Sequence, residues 1–162
     1  PMNRDFTRLS ERFVLAAEAG DAAAMMAEIL DALKRYVSVR DAATRARAEN
    51  YYHGFLLALL AGAGGAADNL RSNAEAGNGY ADLMFTSADQ STGVVLEIKH
   101  SAQDTNLEAD AGRALQQIKD KHYVRGLLGS GCMRFYGYGI AFFRKRCFIV
   151  GEAIHDNKDA AG

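Results

Sequence analysis

The sequence of 162 residues is long enough for one domain with a sizeable buried core. Its formal net charge of −1 excludes a strongly basic chain and argues modestly against a nucleic-acid binder, although a few local cations can suffice. The chain starts at Pro1 rather than at a methionine, so we expect a processed piece or part of a longer protein.

The cysteines and the apolar content indicate a cytoplasmic protein. Cys132 and Cys147 match no metal-ligand spacing and no disulfide framework, so we interpret them as reduced core residues. No signal peptide is visible. The most apolar stretch, residues 51–67, contains His53 and is shorter than the ~20 residues of a membrane span. We therefore predict a buried core helix there and no membrane contact.

Three helical patterns come first in the chain. Apolar residues recur at helical spacing over residues 6–17, and Gly20 ends this pattern. Asp21 is then the expected N-cap of a second helix, whose apolar residues span 25–33. A third helix is predicted over residues 42–60, and it ends in the glycine-rich segment AGAGGAA.

Strand patterns follow the glycine-rich segment. Two strand-like segments, GYADLMFTS and TGVVLEIKH, are joined by the turn-forming residues ADQS. A helix is predicted over residues 107–128, ended by GSG, and two more strands, MRFYGYGIAFF and RCFIVGEAI, flank the basic turn RKR. The order of helices, strands, helix and strands predicts an α/β fold with a mixed sheet.

No shift in composition divides the chain, so we predict one domain over residues 1–162. Its parts are a helical arm over residues 1–40, an α/β core over residues 41–154 and a flexible tail over residues 155–162.

The strand TGVVLEIKH places two charges within an apolar run. Buried charges cost several kcal/mol unless they are paired or bind a metal. Because side chains alternate along a strand, Glu97 and Lys99 share one face. By the same rule, Tyr80, Asp82 and Met84 share a face of the preceding strand. A hairpin with its turn in ADQS places Asp82 opposite Glu97. The same register places Tyr80 opposite Lys99.

Two opposed carboxylates predict a cation between them. Directly opposed residues have Cβ atoms about 4.5–5.5 Å apart, so Asp82 or Glu97 takes up a proton unless a cation separates them. Hard oxygen ligands suit Mg²⁺ or Mn²⁺. Lys99 beside the ion can position a water and stabilise developing negative charge. The alternative is a solvated polar stripe, because a single D…ExK pattern is weak.

Five segments in chain order match a family pattern: ENYYHGFLLALL, SNAEAGNGYADL, LEIKH, ALQQIKDKHY and YGYGIAFFRKRCFIV. They resemble the PD-(D/E)XK nuclease superfamily, and more narrowly the nuclease-like domain found C-terminal to AAA-ATPase-like domains in bacterial proteins. The resemblance covers most of the chain. It implies a restriction-endonuclease-like core, which is a mixed central sheet flanked by helices, with an N-terminal helical arm.

The resemblance also implies roles for individual residues. Asp82 and Glu97 would bind the metal, and Lys99 would be the catalytic lysine. Glu49 would be an accessory carboxylate, and Gln117 a polar group that faces the site from the following helix. The implied activity is metal-dependent phosphodiester hydrolysis of nucleic acid, which we expect to be DNA. The implied partner is an ATPase-like domain of the same longer chain.

Tyr80 departs from the family pattern, which has arginine at this position. Loss of a fixed cation weakens phosphate binding or transition-state stabilisation, although a tyrosine can stack on a base. The departure favours a second hypothesis, a nuclease-fold module that no longer cleaves and serves nucleic-acid binding or regulation. A third hypothesis is a small interaction domain whose Asp82 and Glu97 are separate surface residues.

Two helix faces carry further candidates. Arg113, Gln117 and Lys121 share one face, which is either a solvated surface or a wall beside a phosphate backbone. Glu49 and His53 lie one helical turn apart, a spacing that can ligate a metal. Since no zinc-type ligand cluster accompanies them, we interpret His53 as a packing histidine.

Overall fold

The computed structural model describes residues 3–38 and 45–155 of the chain, without the side chains of residues 45–47. Three α-helices come first: α1 (Arg4–Glu18), α2 (Ala22–Tyr36) and α3 (Arg45–Gly62). Residues 42–44 of the predicted third helix and residues 156–162 of the predicted tail lie outside the described residues. Within these ranges, no helix combines the length and the apolar character that a membrane crossing requires.

The stop and the cap predicted between the first two helices are confirmed. Gly20 has a φ of 76°, a left-handed conformation that glycine adopts readily, and α1 ends two residues before it. The Asp21 carboxylate accepts a hydrogen bond from the backbone N–H of Ala24 at 3.0 Å, and α2 begins at Ala22.

The described strands form one mixed sheet. They are β1 (Ala67–Ala76), β2 (Gly79–Ser87), β3 (Thr92–His100), β4 (Arg134–Phe143) and β5 (Arg146–Ala153), in the spatial order β1-β2-β3-β4-β5. All neighbours are antiparallel except β3 and β4, which are parallel. Parallel neighbours need a crossover connection, and helix α4 (Leu107–Asp120) provides it. The predicted mixed α/β fold with N-terminal helices is therefore confirmed.

Helices cover both faces of β3. Val94 and Leu96 are buried in the main core, together with Leu56 of α3 and apolar residues of α1 and α2. Val95 faces the other way and belongs to a second cluster with Ile118 of α4. Burial on both faces explains why this strand is apolar at nearly every position.

The crossover helix α4 lies unusually close to β4. A Cβ atom added to Gly139 of β4 would overlap the carbonyl oxygen of Ala111 and lie 2.6 Å from the backbone nitrogen of Leu115. Both of these atoms belong to the backbone of α4. The contact at Gly139 therefore fixes the height of α4 above the sheet, and with it the position of every side chain that α4 carries.

The helix predicted over residues 107–128 ends earlier, at Asp120. His122 adopts a left-handed conformation with a φ of 55°, and the chain continues as a 3-10 turn over Tyr123–Leu127. The carbonyl of Lys121 accepts a hydrogen bond from the backbone N–H of Asn78 at 2.8 Å. The predicted end of this helix was wrong for two reasons. The hydrogen-bond partner, Asn78, is remote in the sequence, and the sequence shows no turn motif at His122.

Residues 67–76, to which the sequence analysis assigned no strand, form strand β1 at the edge of the sheet. It pairs antiparallel with β2 from Ala67 opposite Ser87 to Ala76 opposite Gly79. Most of its side chains are exposed and polar, and Asn69 has a φ of 50°. A strand of this composition shows no apolar alternation, which is why the sequence analysis missed it.

We expect Gly139→Ala to lower the free energy of unfolding by about 1–3 kcal/mol or more, because the added methyl group meets helix backbone and not a flexible side chain. Urea unfolding measures this effect. Gly112→Ala, within α4, is the matched control, since no atom lies within 4 Å of the added Cβ. Equal stability of the two variants would contradict the close packing of α4 on β4.

Candidate active site

Two carboxylates meet where β2 and β3 separate. The pairing of these strands runs from Thr86 opposite Gly93 to Leu83 opposite Leu96, which is the register expected from the sequence, and Asp82 and Glu97 would form the next pair. At this position, hydrogen bonds between backbone N–H groups and carboxylate side chains take the place of backbone pairing between the strands.

The Asp82 carboxylate accepts a hydrogen bond from the backbone N–H of Ile98 at 2.8 Å. The backbone N–H of Asp82 lies 3.4 Å from Glu97 Oε2. Asp82 is half-buried, and Glu97 is only 4% exposed. The alternatives in which Asp82 and Glu97 form a solvated polar stripe, or are separate surface residues, are therefore wrong.

The alternation of β2 is interrupted at the same point. Met84 and Ala81 are three residues apart, so regular alternation puts them on opposite faces of the sheet. Both nevertheless belong to the second cluster, which contains Val95 and Ile118. The paired positions of β1 and β2 skip Asn73 and Asp82, and Asn73 has a φ of 50°. The expectation that alternation continues unbroken through Asp82 is wrong, because Ala81 and Met84 reach the same cluster.

Tyr80 lies beyond this interruption. It pairs with Glu75 of β1, and its side chain is 66% exposed. The β2–β3 pairing has ended before this point, so Tyr80 and Lys99 do not form the cross-strand pair expected from the sequence. Tyr80 is thus an exposed aromatic side chain two residues from Asp82.

Gln117 of α4 joins the acidic and basic groups of β3. Its Nε2 donates a hydrogen bond to Glu97 Oε1 at 2.9 Å, and its Oε1 accepts one from the Lys99 ammonium at 3.0 Å. The same Nε2 also donates to the hydroxyl of Tyr123 at 3.0 Å. The structure therefore brings together Asp82, Glu97, Lys99 and Gln117, and it adds Tyr123, which the sequence analysis missed.

Burial raises the pKa of both carboxyl groups, and the charge of Asp82 adds to the shift at Glu97. Burial, and then the neighbouring charge of Asp82, raise the pKa of Glu97 to about 8, while Lys99 acts in the opposite direction. Burial also raises the pKa of Asp82, against the hydrogen bond from Ile98 and the charges of His53 and Lys99. Such a pair attracts either a proton or a cation.

Helix α3 adds an acid and a histidine from the other side. The exposed carboxylate of Glu49 lies close enough to raise the pKa of Glu97. His53, one turn later, is half-buried, and its Nε2 lies 2.6 Å from the hydroxyl of Ser72 on β1. The interpretation of His53 as a packing histidine missed its electrostatic contact with Asp82. The spacing of Glu49 and His53 was the sequence signal for this arrangement.

The other two residues of the predicted α4 face lie apart from these contacts. Arg113 forms an ion pair with Asp110 within α4 and is exposed. Lys121 is exposed at the end of the helix. Of the three residues on that predicted face, Gln117 is the one with hydrogen bonds to Glu97 and Lys99.

The donor set fits a hard cation that keeps part of its water shell. Asp82 and Glu97 supply adjacent carboxylate oxygens. Within residues 3–38 and 45–155, no three His, Cys, Asp or Glu side chains converge as a metal cage does. Mg²⁺ is commonly held by one or two carboxylates together with water and substrate phosphates. The residues therefore fit Mg²⁺ or Mn²⁺ better than a closed zinc site.

Comparison with known proteins identifies the family. The sequence model described as the PD-(D/E)XK nuclease superfamily matches residues 47–152, which is more than half of the chain. This match includes Asp82 of β2, Glu97 and Lys99 of β3, and Gln117 of α4. No curated protein sequence matches the chain.

Without divalent ions, we expect the free energy of unfolding to fall as the pH rises from about 5 to about 8. The folded chain holds a proton on Glu97, whose pKa is raised from 4.5 to about 8, while the unfolded chain releases it. This contribution is fully present below the unfolded pKa and is lost as the pH rises through the folded pKa. Urea unfolding across this range measures the slope.

Glu97→Gln should flatten that slope, because the amide does not titrate. Glu11→Gln, at an exposed position of α1, is the matched control and should leave the slope as in the wild type. An equal slope in the wild type and in Glu97→Gln would show that Glu97 is not protonated in the folded chain.

Proposed function

Because the chain belongs to the PD-(D/E)XK nuclease superfamily, we propose that it hydrolyses phosphodiester bonds of nucleic acid, with DNA as the substrate. The observation that carries the proposal is the set of contacts linking Asp82, Glu97, Gln117 and Lys99 where β2 and β3 separate. These four side chains supply the carboxylates, the ammonium and the polar bridge that metal-assisted hydrolysis needs.

We assign the roles as follows. Asp82 and Glu97 would hold Mg²⁺ or Mn²⁺, which would supply Lewis-acid assistance to hydrolysis of the phosphodiester. Lys99 stabilises negative charge that develops on the phosphate and orients the attacking water. Gln117 keeps the Lys99 ammonium at a set position relative to Glu97. Glu49 would be an accessory carboxylate; it is exposed on α3, and its charge acts on Glu97.

The exposed residues around the site give the proposed contacts to the substrate. Lys121 and Arg113 carry positive charge along α4, where they would meet phosphates. Tyr80 presents an exposed ring that can stack on a base of a separated strand. These contacts concern few charges, in keeping with the nearly neutral chain.

The setting that we propose is the cytoplasm, beside an ATPase-like domain of a longer bacterial chain. The ordered motifs of the sequence support the partner domain. Two thiols support the reducing compartment: among the described residues, Cys132 and Cys147 are free, and Cys147 is buried.

We expect Lys99→Ala to reduce Mg²⁺-dependent cleavage of plasmid DNA by at least about a hundredfold, because the charge that faces the phosphate is lost. Mg²⁺ should still raise the unfolding temperature of this variant, since Asp82 and Glu97 remain. Single-turnover nicking and thermal unfolding with and without Mg²⁺ measure the two effects.

Lys145→Ala, in the turn between β4 and β5, is the matched control and should cleave at the wild-type rate. Wild-type cleavage by Lys99→Ala would refute the assigned role of the lysine. Loss of the Mg²⁺ response in this variant would instead place Lys99 among the groups that maintain the metal site.

Tyr80 favours a second function, nucleic-acid binding or regulation without cleavage, because the family arginine is missing there. We expect Tyr80→Arg to raise the cleavage rate about tenfold through a charge-assisted contact with phosphate. The exposed position tolerates the change, and Tyr80→Phe is the control that adds no charge. If the wild type and Tyr80→Arg both bind DNA and Mg²⁺ without cleaving, the binding function is correct and the hydrolase proposal fails.

A further inference from the structure

The turn between β1 and β2 packs directly on the end of α4. The backbone N–H of Asn78 donates a hydrogen bond to the carbonyl of Lys121 at 2.8 Å. A Cβ atom on Gly77 would overlap that carbonyl and lie 2.7 Å from the carbonyl carbon of His122. Gly77 also has a φ of 52°. Only glycine permits this approach of one backbone to another.

The second glycine of this turn faces an aromatic ring. A Cβ atom on Gly79 would lie 3.3 Å from both Cε1 and the hydroxyl oxygen of Tyr123. Tyr123 directly follows His122, the left-handed residue after α4, and it is only 3% exposed. The GNG turn, residues 77–79, therefore holds both the backbone before Tyr123 and the ring itself.

Tyr123 completes the set of partners around the Gln117 amide. The two N–H groups of Nε2 have two acceptors, Glu97 Oε1 and the Tyr123 hydroxyl, and Oε1 accepts from the Lys99 ammonium. The inverted amide would turn its N–H groups towards the Lys99 ammonium, which can only donate, so this partner determines the orientation. Without the tyrosine hydroxyl, one N–H of this half-buried amide loses its acceptor.

We propose that Tyr123 is a positioning residue of this site and that the GNG turn keeps it in place. By orienting Gln117, Tyr123 sets the separation between the Glu97 carboxylate and the Lys99 ammonium. The consequence for cleavage rests on the proposed function. The orientation of Gln117 is a property of the folded chain, and it is measurable whether or not the chain cleaves DNA.

The test is Tyr123→Phe, read by the side-chain amide signals of Gln117 in ¹⁵N-labelled full-length chain. Their assignment comes from their loss in Gln117→Glu. We expect both amide proton signals to move. We also expect the turnover number with Mg²⁺ and plasmid DNA to fall roughly tenfold while KM is unchanged, as is typical for outer-shell partners of a metal site.

Tyr138→Phe is the matched control. It also removes one buried hydroxyl, which donates to the carbonyl of Ala17 at 2.6 Å, away from the site. Both variants should lose a similar amount of thermal stability, but Tyr138→Phe should leave the Gln117 signals in place. A second variant, Gly79→Ala, keeps the Tyr123 hydroxyl and displaces its ring, and it should move the same signals, whereas Gly112→Ala should not.

Gln117 signals in Tyr123→Phe that coincide with those of the wild type would overturn the positioning role, with or without nuclease activity. Signals that move in a chain whose wild type does not cleave would support the positioning role and refute the proposed hydrolase. The two proposals therefore fail on different measurements.

Discussion

Two carboxylates, those of Asp82 and Glu97, lie side by side at the point where β2 leaves β3. Burial removes much of the water around each carboxylate, and the two negative charges repel, so the pair costs free energy. Three groups offset this cost: the backbone N–H of Ile98, the amide of Gln117 and the charge of Lys99. The same pair of carboxylates is what a hard cation requires. The paired carboxylates therefore cost stability in the absence of a cation, whereas the proposed metal binding requires both of them.

Apolar packing keeps these polar groups in register. Ile118 is buried against Val95 of β3, and its neighbour along α4 is Gln117, so the helix that buries one side chain presents the next to the carboxylates. The close contact at Gly139 leaves α4 little freedom to slide along β4. A polar network of this kind needs a rigid frame, because each hydrogen bond weakens steeply with angle and distance.

The edge strand β1 is attached to the rest of the fold largely by polar contacts. The guanidinium of Arg71 donates to the carbonyl of Gly126 at 2.9 Å, and Ser72 contacts His53 of α3. Through these contacts β1 joins the helices on both sides of the sheet near the carboxylates. An element with few buried apolar residues thereby becomes part of the frame around the proposed site.

β2, β3 and their register follow from the sequence alone, because short apolar runs joined by a four-residue turn are local signals. The register and the family motifs together were enough to bring Asp82 and Glu97 to one place. The end of α4, the existence of β1 and the positions of His53 and Tyr123 emerge only from the folded chain. Each of these depends on a partner remote in the chain, such as Asn78 at the end of α4. Local pattern carries no information about such contacts, since they form only when the packed sheet brings the segments together.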